Sequence, residues 1–124
     1  MGFIQVLFFI NFSLILVHEM DAIRCKEWKM FIILKDMKEN YGYVVFTLLH
    51  LPIYFLCLAS MFNNINYLNS RESIWIDMLL ILHAIVHFLF RKHKNNEFNK
   101  LFSQFIIYGI SLIAMMRIIL ILWN

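Results

Sequence analysis

Histidine is the residue type whose placement in this sequence points most directly to chemistry. His83 and His87 are four residues apart, so both imidazole rings project from the same side of a helix. His50 lies in another apolar stretch of the chain, and His18 lies at the end of the first one. Neutral imidazole is the commonest metal ligand in proteins, and several imidazoles with a carboxylate favour zinc. The histidines therefore indicate a metal site.

Two carboxylates near His18 are candidates for the remaining roles at such a site. Asp21 lies three residues after His18, on the same face if the helix continues unbroken, and Glu19 points elsewhere. Either carboxylate is a candidate general base for metal-bound water. The predicted metal ligands are three intramembrane histidines, completed by one residue of the first helix: His50, His83, His87, and Asp21 or His18.

Depth along the helices supports this convergence and leaves two alternatives open. At 1.5 Å per residue, His50 and His83 lie ~13 Å and ~12 Å from the basic ends of their helices. The same residues could act as two axial ligands of a haem, but Gly42 and Gly109 do not lie at that level to make room for a porphyrin. Alternatively, the histidines only hydrogen-bond between helices. Zinc is the cofactor that we predict, with haem as the alternative.

The elements that must position these residues are strongly apolar. Of the 124 residues, 62% are hydrophobic and 15% are charged, with a mean hydropathy of +0.72. A soluble core of this size could not bury so much apolar surface, whereas a bilayer can. We predict an all-α fold, a single domain over residues 1–124 that forms an integral membrane bundle. Its four transmembrane helices cover about residues 2–20, 41–61, 73–90 and 101–123.

The segment between the first two spans is too polar to cross a bilayer. Within residues 22–40, apolar side chains alternate with lysine and arginine at roughly helical spacing. This pattern predicts a basic amphipathic helix that lies in the membrane interface, with Trp28 as its anchor. The first span lacks a positive leading region and a small-residue cleavage site, so we expect a retained helix and no signal peptide.

The distribution of positive charge predicts the orientation. Nine of the 11 Lys and Arg residues fall within residues 24–38 and 91–100, on one side of the four-span arrangement, whereas Arg71 lies on the other. The positive-inside rule makes the first side cytoplasmic. We therefore expect a multi-pass protein of the inner membrane with both termini extracytoplasmic, and the loop 62–70 outside. Because the basic residues flank apolar spans, membrane lipids are the expected partners and nucleic acid is not.

One pair of charges is expected to be structural. Asp77 in the third span and Arg117 in the fourth differ in depth by only ~5 Å, well within the reach of an arginine side chain. Charged groups inside a membrane normally face a partner. The sequence therefore predicts an interhelical ion pair between these two residues.

The segment from His18 to Trp28 reads His-Glu-Met-Asp-Ala-Ile-Arg-Cys-Lys-Glu-Trp. It resembles the opening motif of a family of small bacterial membrane proteins of unknown function. That family combines His-Glu-x-Asp-Ala-x-Arg and Glu-Trp with a later histidine and proline, which here are His50 and Pro52. The resemblance covers most of the chain and implies a four-helix membrane protein. It implies no activity.

Three functions remain open from the sequence. The first is a zinc-dependent, hydrolase-type enzyme that acts on a lipid or another amphiphile. The second is a non-enzymatic membrane protein: a homo-oligomeric effector, a channel-like assembly or a subunit of a larger complex. The third is a haem or quinone redox protein. The buried histidines and carboxylates favour the first, because ionisable groups in a membrane are usually functional.

Overall fold

The computed structural model describes residues 2–63 and 65–123, so Asn64, in the loop predicted to lie outside the membrane, is not among the described residues. The described residues form helices and turns, with no strand, which confirms the all-α prediction. The four α-helices are α1 (Phe3–Arg24), α2 (Glu39–Asn63), α3 (Ile74–Leu89) and α4 (Leu101–Trp123).

Each of the four helices belongs to a stretch that is long and apolar enough to cross a membrane. The stretches are Phe3–Arg24, Glu39–Ala59, Arg71–Lys92 and Leu101–Trp123, and the shortest has 21 residues. At 1.5 Å per residue, about 20 residues match the hydrocarbon thickness of a bilayer. The third stretch is longer than the predicted 73–90, because short 3₁₀ helices, Arg71–Ser73 and Phe90–Lys92, extend α3 at both ends.

The packing of the helices is uneven. α1 and α3 both pack along α4, whose buried face carries Ile110, Ala114 and Ile121. In contrast, α2 is the least buried helix, and its main contacts are with the 3₁₀ helices Glu27–Met30 and Ile65–Asn69 near its two ends. The fold is therefore a three-helix core with α2 held at its side.

The predicted ion pair between Asp77 and Arg117 is confirmed. Both side chains are fully buried, and Arg117 Nη1 donates to Asp77 Oδ1 and Oδ2 at 2.8 and 2.7 Å. Arg117 Nη2 donates to the carbonyl oxygen of Leu68 at 2.7 Å, and the guanidinium carbon lies 4.8 Å from the ring centre of Phe8. One guanidinium thus joins α1, α3, α4 and the loop that leads into α3.

The prediction of a single amphipathic helix over residues 22–40 is wrong. α1 continues to Arg24, and Lys26 then adopts a left-handed conformation with φ of 49°. A 3₁₀ helix and a run of turns follow until α2 begins. Trp28 is 3% exposed and belongs to the core, so it is not a surface anchor. The helical spacing of apolar residues predicted one buried face for this segment. In the structure, Ile32 and Ile33 are exposed while Trp28 and its neighbours fold inward, so the apolar residues do not form such a face.

We expect the single substitutions Asp77→Leu and Arg117→Leu each to lower the free energy of unfolding by about 3–5 kcal/mol, because each leaves a buried charge without its partner. The double substitution should cost less than the sum of the two. Denaturant titration in detergent measures all three, with Arg71→Leu, an exposed arginine, as the control. Additive effects of the two substitutions would contradict an energetic coupling between the residues.

Candidate metal centre

Four side chains converge at one end of the three-helix core. His18, Glu27, His83 and His87 each offer one ligand atom, and these four atoms all lie within 4.8 Å of one another. The closest pair is His83 Nε2 and His18 Nε2, at 2.8 Å. Glu27 bridges His18 and His87, with its oxygens 3.8 Å from His18 Nε2 and 3.4 Å from His87 Nε2. We refer to these four residues as the His₃Glu cluster.

Helix geometry accounts for the three histidines. His83 and His87 are one turn apart on α3, and their ring centres are 4.6 Å apart. His18 projects from α1 toward the same point, with its ring centre 4.8 Å from that of His83 and 5.1 Å from that of His87. α1 and α3 are both held against α4, so the packing of the core fixes these rings relative to one another.

Glu27 reaches the cluster because the chain reverses after α1. On an unbroken helix, nine residues would turn Glu27 to the side opposite His18. The left-handed conformation of Lys26 ends the helix and directs the next residues back toward the core. The ion pair between Lys26 and Glu39 then ties this reversal to the start of α2.

A close backbone approach holds the residue next to Glu27. The ring of Trp28 lies so near Gly42 that a Cβ atom there would come within 2.7 Å of Trp28 Cδ1. The Trp28 ring also packs against the ring of Phe46, with ring centres 5.9 Å apart. Only glycine at position 42 lets α2 pack this closely on the segment that carries Glu27.

The loop before α4 covers the cluster on its remaining side. The Phe98 ring lies 4.7 Å from the His87 ring and 5.7 Å from the His18 ring, centre to centre. Asn95 Nδ2 donates to the carbonyl oxygen of Lys29 at 2.9 Å, which fastens the loop to the reversed segment. As a result, His18 is 0%, Glu27 4% and His87 7% exposed.

The electrostatics of the cluster centre on the carboxylate of Glu27. Burial raises the pKa of Glu27, but the contact with His87 and the neighbouring histidines His18 and His83 outweigh burial and lower it. Glu27 is therefore an anion at neutral pH. Among the described residues, His18 Nδ1 is buried without a hydrogen-bond partner, and the one polar contact of His87 Nε2 is with Glu27 Oε1 at 3.4 Å. Such groups are costly unless a ligand or an ion completes them.

A second acid–base pair lies beside the cluster. Glu19 Oε2 is 3.2 Å from His50 Nε2, and both side chains are only partly exposed. His50 Nδ1 donates to the carbonyl oxygen of Phe46 at 2.7 Å, and this hydrogen bond turns Nε2 toward Glu19. α2 runs through Pro52 as one helix, so it carries His50 up to this point.

The structure thus brings together some of the predicted site residues and separates others. His18, His83 and His87 meet in the cluster, whereas His50 pairs with Glu19 at its edge. Asp21 lies outside it, because Arg24, one turn later on α1, binds its carboxylate at 2.7 Å. The sequence analysis did not select Glu27 as a ligand. Glu27 belongs to the Glu-Trp part of the motif. On a straight continuation of α1, however, its side chain would point away from His18.

The donor set matches the ligand preferences of zinc. Zinc binds imidazole nitrogen and carboxylate oxygen in a tetrahedron at about 2.0–2.1 Å, which places ligand atoms roughly 3.4 Å apart. Three of the separations in the cluster, 2.8, 3.4 and 3.8 Å, lie around this value, and the four ligand atoms spread to as much as 4.8 Å. Side-chain shifts of up to roughly 1.4 Å would therefore be needed for all four to hold one ion.

Two cavities border these residues in the space between α2 and the core. The larger, of about 620 Å³, lies between α2, α3 and the segment 30–37, and its only polar lining side chains in the described part of the chain are His50 and His87. The smaller, of about 260 Å³, lies between α1, α2 and α3 and touches Glu19, His50 and His83. His50 lines both cavities, so both lead to the edge of the cluster.

Comparison with known proteins gives a family without an activity. The family described as "Family of unknown function (DUF6713)" matches residues 4–124. No curated protein and no solved structure matches the chain. The expected membership in an uncharacterised family is therefore confirmed.

We expect Gly42→Ala to lower the free energy of unfolding by about 1–3 kcal/mol, because the added methyl group forces the Trp28 ring away from α2. The near-ultraviolet circular dichroism of the tryptophans should change with it. Gly109→Ala is the matched control, since a Cβ atom there has no neighbour within 4 Å. That substitution should raise stability by up to about 1 kcal/mol. Equal effects at the two positions would contradict the close approach.

Proposed function

The chain belongs to DUF6713, a family of unknown function, and we propose that it is a zinc-dependent membrane enzyme that hydrolyses a lipid or a related amphiphile. The observation that carries the proposal is the His₃Glu cluster: four ligand atoms from three chain segments within 4.8 Å of one another, buried at one end of an apolar bundle. Polar groups are expensive in such surroundings and are normally functional there.

The proposal places all four apolar helices across the inner membrane. Most lysines and arginines cluster at the end of the bundle that holds the His₃Glu cluster, and the positive-inside rule assigns this end to the cytoplasm. His87 and His18 are four and six residues from the basic ends Arg91 and Arg24 of their spans. The metal would therefore lie roughly 6–9 Å below that boundary. This is shallow enough to meet the linkage region of a lipid.

Zinc, when bound here, would supply a Lewis acid for the carbonyl group of an ester or amide and would lower the pKa of a water molecule. His18, His83, His87 and Glu27 would hold the ion, and water would have to join these four side chains as a fifth ligand, as in the five-coordinate state of catalytic zinc. Glu19 acts as the general base through its contact with His50, because this pair borders the same cavity as His83. Phe98 and the reversed segment exclude bulk water from the other side, which strengthens the electrostatic interactions inside.

The two cavities support an amphiphilic substrate. The larger cavity is lined by apolar side chains except at its histidine end, as a site for an acyl chain requires. Ile32 and Ile33 on its rim are 79% and 83% exposed, so an apolar surface continues from the cavity to the outside of the bundle. A substrate would enter sideways between α2 and α3 from the surrounding lipid.

A homo-oligomeric membrane protein without enzymatic activity is the second candidate. The observation that favours it is α2, which exposes large apolar side chains along most of its length and packs little against the core. In such an assembly, α2 would meet a neighbouring copy. The His₃Glu cluster would then be a structural network that binds no stoichiometric metal, which the following measurement distinguishes.

We expect the detergent-purified protein to contain about one zinc per chain by mass spectrometry of the metal. Alanine at His83 or His87 and glutamine at Glu27 should lower zinc affinity about tenfold or more. His93→Ala is the matched control, because this fifth histidine lies in the loop before α4. Asp21→Asn should also retain the metal. Metal-free wild-type protein, or loss of metal only in Asp21→Asn, would contradict the assignment, and a haem spectrum would favour the redox alternative.

The same preparations separate binding from chemistry. Glu19→Gln should retain zinc but lose hydrolysis of a fluorogenic long-chain ester in mixed micelles, by about 10²-fold or more, because general-base catalysis is typically worth that factor. Glu72→Gln, a carboxylate at the far end of α3, serves as the control. Full ester hydrolysis by Glu19→Gln would remove Glu19 from the mechanism.

The orientation is tested with single cysteines in a background where Cys25 and Cys57 are serine. A cysteine in place of the exposed Lys94 should resist a membrane-impermeant thiol reagent in intact cells, and one in place of the exposed Asn69 should react. Both should react after the membrane is permeabilised. The opposite pattern would place the His₃Glu cluster near the outer leaflet.

A further inference from the structure

Asn11 is a buried polar residue that the proposed reaction does not use. It lies in the middle of α1 and is 1% exposed, and neither its Nδ2 nor its Oδ1 has a hydrogen-bond partner among the described residues. An unsatisfied buried amide destabilises the fold, because its donor and acceptor lose their hydrogen bonds to water and gain none in return. A leucine or alanine at this position would avoid that cost. Asn11 therefore needs a hydrogen-bond partner that the described residues of the chain do not supply.

The smaller cavity is the space in which such a partner can bind. Asn11 lines the cavity of about 260 Å³ between α1, α2 and α3, the same cavity that touches Glu19, His50 and His83. The rest of its wall is largely aliphatic and aromatic, and it also carries the hydroxyl of Tyr54 and the thiol of Cys57. The cavity thus has a reactive end at the His₃Glu cluster, a mainly apolar middle and the unsatisfied amide of Asn11.

The distance between the two polar regions follows from the helix. Asn11 and Glu19 are eight residues apart on α1, which is about 12 Å along the axis, and residues at this spacing lie on the same side of a helix. A molecule that lies along α1 can contact both at once. A plain hydrocarbon chain in this cavity would leave the Asn11 amide as unsatisfied as it is without a ligand.

We propose that this cavity binds an amphiphile whose apolar chain carries a hydroxyl or carbonyl group about 12 Å from its hydrolysable bond, and that Asn11 recognises this internal polar group. The amide is covered in this structure, since Asn11 is 1% exposed, so its side chain turns toward the cavity when the ligand binds. Asn11 Nδ2 then donates to the oxygen of the chain, and Oδ1 accepts from it when the group is a hydroxyl. Asn11 is thereby a specificity residue. The assignment rests on the proposed function only for the position of the hydrolysable bond.

The test compares two probes that differ in one oxygen: stearate and a stearate with a hydroxyl group midway along its chain. Binding to the full-length, detergent-purified protein is measured by displacement of a fluorescent fatty acid. The wild type should bind the hydroxylated probe about tenfold more tightly, which corresponds to ~1.4 kcal/mol, the net gain from a buried hydrogen bond. Asn11→Leu should abolish this preference while binding stearate at least as well.

A matched control and a stability measurement accompany the probes. Ser13→Leu changes an exposed polar residue of α1 whose hydroxyl only donates to the carbonyl oxygen of Phe9, so it should keep the tenfold preference. Without a ligand, Asn11→Leu should melt at a higher temperature than the wild type, because the unsatisfied amide is gone.

Each outcome bears on one of the two proposals. Equal affinity of the wild type for the two probes, binding of neither, or an unchanged preference in Asn11→Leu would overturn the role of Asn11. Any of these results together with a full equivalent of zinc and ester hydrolysis would leave the proposed enzyme standing. A metal-free protein that still prefers the hydroxylated probe would support the role of Asn11 and contradict the proposed zinc enzyme.

Discussion

Burial of the Glu27 carboxylate among three imidazoles is the constraint on which the candidate site depends. A carboxylate loses its hydration in an apolar bundle and is tolerated only when donors or cations surround it. The chain reversal at Lys26, the close approach of Gly42 to Trp28 and the cover provided by Phe98 all serve to hold this carboxylate in place. In the proposed enzyme, a divalent cation held by this carboxylate and the three imidazoles would balance its charge.

The two buried polar networks of the bundle differ in the groups that they bring together. At one end, Arg117 spreads its donors over Asp77, Leu68 and Ser73, and this arrangement cross-links the helices. Even here, Arg117 Nε has no hydrogen-bond partner among the described residues. At the other end, four potential ligand atoms lie within 4.8 Å of one another. This convergence is the physical reason for proposing a ligand there.

The position of α2 connects the site to its surroundings. Because α2 is anchored mainly at its ends, the space beside it is filled incompletely, and both cavities occupy that space. A tightly packed four-helix bundle would have closed them and buried His50 among side chains. In the proposed enzyme, the loose side of the bundle would supply both the route for an amphiphile and the space in which Glu19 and His50 face it.

The sequence by itself determined the four apolar helices, the ion pair between Asp77 and Arg117, and the common face of His83 and His87 on α3. Each of these depends on composition or on the regular rise and turn of a helix. The sequence offered His18 only as an alternative to Asp21. Only the tertiary structure decided that Glu27 completes the cluster and that His50 pairs with Glu19. One left-handed residue ends α1 and reverses the chain, so helical periodicity no longer predicts direction beyond it. The approach of α2 depends on its contacts with these irregular segments, which carry no periodic signal in the sequence.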